Sequence, residues 1–159
     1  MHDFFMTFGS FIVFLHILAA IIWVGGMIAI RFAVHYSMQD IEDGKIKLGR
    51  TLDFLRRFFN MVIPMILVLL ITAILMSIGF GLKATEFSPI VHIKEAIWIV
   101  MTLIFIVIYR KRNKAQEYFN DGDFKSAKET LMPLSLWMIP TNIALGLLTL
   151  YLGVILRGL

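Results

Sequence analysis

The sequence predicts an all-α, polytopic membrane protein: a four-helix bundle with both chain termini outside. Three observations carry this. Of 159 residues, 59% are hydrophobic and only 16% charged, with a mean hydropathy of +0.84, far from the balance of a water-soluble domain. Residues 4–30, 58–82 and 130–156 contain no Asp, Glu, Lys or Arg, and each run exceeds the roughly 20 residues that cross a hydrocarbon core as helix. Finally, 12 of the 15 basic residues surround two segments: Arg31, Lys45, Lys47, Arg50, Arg56 and Arg57 the first loop, Arg110, Lys111, Arg112, Lys114, Lys125 and Lys128 the third. Only Lys83, Lys94 and Arg157 fall elsewhere, so the positive-inside rule places loops 1 and 3 in the cytoplasm. The net charge of +4 is thereby explained by topology and gives no reason to expect nucleic acid as a partner; the lipid bilayer is the expected one.

A single transmembrane domain, 1–159, is expected, with helices at about 4–35, 52–82, 88–112 and 125–157. The first opens on "MHDFF", which lacks a basic n-region, and its apolar run is too long for a signal-peptide core; it is expected to stay in the mature protein. The second follows the basic pair Arg56-Arg57. The third is unusual. Its uninterrupted apolar run, Ala96 to Tyr109, has 14 residues, so it spans only by including "VHIKEAIW" (91–98). Ser88-Pro89 reads as an N-cap followed by proline in the first turn. In the fourth, Asn142, Gly146, Thr149 and Gly153 form one stripe, the pattern of a close helix-packing seam.

The two halves resemble each other. Each begins with His-Ile-x-x-Ala-Ile and a Trp (His16 to Trp23, His92 to Trp98), passes an Asp-Gly pair (Asp43-Gly44, Asp121-Gly122), and returns through Ile-Pro (Pro64, Pro140). Thr72 and Thr149 follow those prolines by eight and nine residues. This weak parallel repeat of two hairpins predicts a pseudo-two-fold axis along the membrane normal, with His16 and His92 facing each other. Their distances in sequence from Arg31 and Arg110 differ by three residues, about 4.5 Å of helical rise, so both belong at the same depth.

Ionisable groups at membrane depth are costly and mark function. The absence of cysteine excludes disulfides, thiolate metal sites and covalently attached c-type haem, leaving His, Met and carboxylates as ligands. Two facing histidines in a helix bundle suit b-type haem, with His16 and His92 as axial ligands. Lys94 is the nearest cation for a propionate, with Lys83 a second candidate. Trp23 and Arg31 share the helix face of His16, although Arg31 lies near the cytoplasmic end. Copper is the rival ligand, since ten methionines plus imidazole suit Cu(I), but methionine also fills apolar cores. A third reading is a structural or assembly subunit whose histidines bond between helices.

"LHILAAIIWVGGMIAIRFAVHY" (15–36), "RRFFNMVIPM" (56–65) and "VHIKEAIW" together resemble the HemJ-type membrane protoporphyrinogen oxidases of bacteria and the related CopD-like copper-resistance domains. The shared pattern is His, then Trp-x-x-Gly, then Arg, followed by a His or Lys opening the third helix. Membership in the HemJ branch would imply a four-helix inner-membrane haem b protein that oxidises protoporphyrinogen IX and passes electrons to quinone. His16 would be the axial ligand, Arg31 the basic residue ending helix 1, and Lys94 the lysine of helix 3. The CopD-like branch, to which "WVGG" (23–26) is close, would imply copper uptake. The expectation is thus a haem b protein of the bacterial inner membrane with an electron-transfer or porphyrin-oxidising role; copper transport is the alternative. Oligomeric state is left open.

Overall fold

A computed structural model describes residues 2–156, with side chains from Thr7 onward. Arg157, counted above for topology and for the end of the fourth helix, lies outside the described residues. Four rods make up the chain. α1 runs from His2 to Gln39, interrupted by wide π-helical turns at Ile21–Gly25 and Ile30–Val34. α2 is continuous over Gly44–Gly79, α3 over Ser88–Asn120, and α4 spans Phe124–Leu156 with a π turn at Leu134–Met138. Each is long and apolar enough to cross a membrane, and no strand occurs among the described residues. The protein is an all-α, multi-pass membrane bundle.

The core sits where the rods converge. Trp23 of α1, Phe59 and Val62 of α2, Phe105 and Ile108 of α3 and Ile143 of α4 are all buried in one cluster. Phe105 is its hub, meeting Trp23 edge-on at 6.2 Å and Phe59 at 5.3 Å between ring centroids, geometries that aromatic quadrupoles favour. Large apolar side chains such as Phe14, Ile71, Leu103 and Tyr151 are exposed instead, as helices facing lipid require. The predicted seam on α4 is present. Val24 and Met101 fill the space beside Gly146, where a β-carbon would stand 2.7 Å from Val24 Cγ2. Fully buried Asn142 donates through Nδ2 to the Met101 carbonyl at 3.3 Å, tying α4 to α3.

The π turn of α4 has a local cause. Pro140 has no N–H and its ring would crowd the carbonyl four residues back; the wider turn lets the Ile139 N–H reach the Leu134 carbonyl instead. The first π turn of α1 ends at Gly25-Gly26, where the ring of Phe58 occupies the space a Gly26 side chain would take.

The rods are longer than the apolar runs predict. α2 begins at Gly44 rather than near 52, α3 ends at Asn120 rather than near 112, and α1 reaches Gln39 rather than 35. Rods of 33 to 36 residues are about 50 Å long, against a hydrocarbon core of roughly 30 Å. The surplus lies at the basic end and has its own small core of Leu48, Leu52, Ala115 and Ala127. Arg112 closes it from the side. Buried there, it donates to the Leu52 carbonyl through Nη2 at 2.9 Å and through Nε at 3.2 Å, and to Gln116 Oε1 at 2.9 Å.

The two Asp-Gly pairs do different jobs. Asp43 caps α2, its carboxylate accepting from the Lys45 and Ile46 amides at 2.8 and 3.0 Å. Asp121-Gly122 instead terminates α3, with Gly122 at φ +81°, a left-handed conformation suited to glycine. The cap of α4 falls to Asp123, which accepts from the Ser126 amide at 3.0 Å. Ser88 is the first residue of α3, not its cap; Phe87, already in helical conformation, holds the cap position and has no side-chain acceptor to offer.

The Asp123 cap has a pH signature. The Ser126 side chain and backbone hold its carboxyl below the usual range. The cap therefore contributes fully above the ordinary carboxyl value of about 3.9 and is lost as pH falls below that through the lowered native value. Amide protection factors at Ser126 and Ala127 are expected to drop on acidification through that window, and hydrogen exchange on Asp123→Asn should show a much smaller pH dependence.

Candidate functional site

His16 lies on the inward stripe of α1 that also carries Ile12, Ala19 and Trp23, all buried, and it is itself half-buried. Across the helix interface is Thr72 of α2, a buried hydroxyl. Thr72 Oγ1 donates to the Val68 carbonyl at 2.6 Å, the back-bond usual for a mid-helix threonine. Its one proton is thus committed, so the 2.8 Å contact with His16 has the imidazole Nδ1–H donating to Thr72 Oγ1. In the neutral ring this fixes the proton on Nδ1 and leaves the lone pair on Nε2. A hydrogen bond behind one ring nitrogen orients the ring and leaves the other nitrogen available as an acceptor or ligand.

The ionisable residue near the N-terminal end of α3 that faces the bundle interior is Lys94, which is half-buried. Val91, Lys94, Trp98, Met101, Phe105, Ile108, Arg112 and Ala115 recur at alternating spacings of three and four, and all are buried or half-buried. This is the seam of α3. Lys94 Nζ rests against Gly153 of α4, where a β-carbon would lie 2.9 Å from it. Among the described residues Lys94 has no carboxylate partner. The nearest carboxylate in sequence, Glu95, is engaged elsewhere, by Lys83 Nζ at 2.8 Å and His92 Nδ1 at 3.1 Å.

His92 itself falls between the seam residues Val91 and Lys94, its side chain 58% exposed. The structure does not bring His92 to His16, so the facing pair that the repeat implies is absent: rotation of α3 to bury its apolar seam turns His92 outward with Glu95 and Ile99, both exposed. Trp23 is buried in the core, about two turns from His16, and its Nε1 has no acceptor. Arg31 lies 15 residues from His16, about 22 Å along α1, half-buried beside the Phe32 ring, and does not share the site. Lys83 belongs to the exposed ion-pair chain. Met27 and Met101 are packed into the apolar core, and Met61 is exposed on α2.

Two groups join the site that sequence reasoning did not single out. Thr72 appeared only as a repeat position, and its role as acceptor for His16 depends on a tertiary contact. Trp98, four residues after Lys94 on the same seam, has a buried indole N–H without an acceptor. On the seam of α3, a half-buried ammonium lacking a carboxylate and a buried donor lacking an acceptor are one helical turn apart. By chemistry, the His16 imidazole could hold a metal and the Lys94 ammonium an anionic oxygen. Among the described residues no three His, Cys, Asp or Glu side chains converge as a metal-ligand cluster. No protein-family model, curated protein or solved structure matches the chain.

Proposed function

We propose that this chain is a haem b protein of the bacterial inner membrane, in which His16 Nε2 would bind the iron and Lys94 would pair with a haem propionate. The observation that carries the proposal is the His16–Thr72 hydrogen bond, which directs the free imidazole lone pair away from α2. Lys94 supplies the second half: an ammonium at membrane depth is expensive without a counter-charge, and a propionate provides one. Trp98 N–H is a further donor on the same seam. The pattern of His16, Trp23-x-x-Gly26, Arg31 and Lys94 that resembles the HemJ-type oxidases supports a porphyrin ligand and a redox role, electron transfer or porphyrin oxidation, with quinone as the partner in the bilayer. Bound haem supplies one-electron chemistry at its iron. The chain's own residues orient the ligand and hold its carboxylate. Loops 1 and 3, which carry most of the basic residues, face the cytoplasm in this reading.

The propionate contact is tested with haem and its dimethyl ester, titrated into haem-depleted protein in detergent. A charge-assisted hydrogen bond contributes about 1.5–3 kcal/mol, so wild type is expected to prefer haem over the ester by about tenfold or more. Lys94→Gln should bind both alike. Equal affinity of wild type for the two ligands would contradict the assignment of Lys94.

A further inference from the structure

A groove lies on α2 toward the basic end of the bundle. Phe54, Arg57, Phe58 and Met61, at spacings of three, one and three along α2, line a groove of about 240 Å³ open to the surroundings of the bundle. Arg57 is the last charged residue before the uncharged run 58–82, so the groove straddles the level where the basic end meets the apolar region, with its arginine at the lip and its apolar walls reaching inward. The lip is net positive. Asp53 accepts from Arg56 Nη2 and Arg57 Nε, each at 2.8 Å, and one carboxylate between two guanidiniums leaves one positive charge over.

Next to the groove, three residues on from Arg57, stands Asn60, exposed at apolar depth. Its backbone carbonyl would ordinarily accept from residue 64, which is Pro64 and has no N–H. Asn60 thus offers a side-chain amide, and a backbone carbonyl without its usual helical donor, at a depth where lipid tails can satisfy neither. A cationic lip, a hydroxyl-seeking carbonyl and an apolar groove are the three parts of a phospholipid site: phosphate on Arg57 and the Asn60 amide, headgroup or glycerol oxygen near Asn60, acyl chain between Phe54, Phe58 and Met61.

We propose that this groove binds an anionic glycerophospholipid. Native mass spectrometry of the full chain in detergent, titrated separately with phosphatidylglycerol and phosphatidylcholine, tests it. Wild type is expected to take up one phosphatidylglycerol in preference to phosphatidylcholine. One basic side chain at a membrane surface is worth about fivefold, so Arg57→Gln should weaken phosphatidylglycerol binding about fivefold and narrow the preference; Asp53 keeps Arg56, so no carboxylate is orphaned. Met61→Trp, which fills an exposed groove without touching the core, should weaken both lipids. Equal binding of the two lipids by wild type, or an unchanged phosphatidylglycerol affinity in both Arg57→Gln and Met61→Trp, would overturn the proposal.

Discussion

His16→Ala is expected to lose bound haem, retaining less than about one tenth of the wild-type content, while His92→Ala keeps it. The difference follows from position. His16 is half-buried on the inner stripe of α1 with its Nδ1–H fixed by Thr72, whereas His92 is exposed and occupied with Glu95. Thr72→Val removes the acceptor while keeping the shape, and loss of such an orienting partner typically costs 10- to 100-fold in metal affinity. Haem content per chain, measured on variants that elute as monodisperse protein, reads all three. Loss of haem in His92→Ala with retention in His16→Ala would reverse the assignment.

The largest expected effect on stability is at Gly26. The ring of buried Phe58 fills the space of a Gly26 side chain, so even one added methyl group must displace it. Overpacking of this kind costs about 1–3 kcal/mol, which for a chain of this size corresponds to a fall in melting midpoint of about 2–12 °C. Gly26→Ala should show it in detergent, and the double variant Gly26→Ala/Phe58→Leu should recover most of the loss, since the smaller side chain vacates the notch. Gly25, one residue earlier, meets only Ile21 Cγ2 at 3.9 Å, so Gly25→Ala is the neutral comparison.

The bundle was legible from its charge-free runs because crossing a hydrocarbon core imposes both length and apolarity. The rod ends were not, because the surplus at the basic end is built from charged, amphipathic sequence whose burial depends on small residues, Ala115 and Ala127, packing against Leu48 and Leu52. Nothing in a hydropathy run marks that. The candidate site was half legible: His16 stood alone in a long apolar run, and Lys94 was the cation nearest to it in the reading of the third helix. The pairing of His16 with His92 failed because similarity between the two hairpins says nothing about the rotation of each helix. That rotation was written in the three-and-four spacing of Val91, Lys94, Trp98, Met101 and Phe105. Weighing that periodicity above the repeat points to Lys94. The two Asp-Gly pairs teach the same lesson, since one begins a helix and the other ends one.

The most direct measurement is the absorption spectrum of the detergent-purified wild-type protein, as isolated and after dithionite, with a pyridine haemochrome assay for stoichiometry. The account predicts a Soret band, a haemochrome spectrum of b type, and about one haem per chain when haem is supplied during expression. A colourless protein under those conditions, monodisperse and without a porphyrin spectrum, would contradict it and direct attention to copper content.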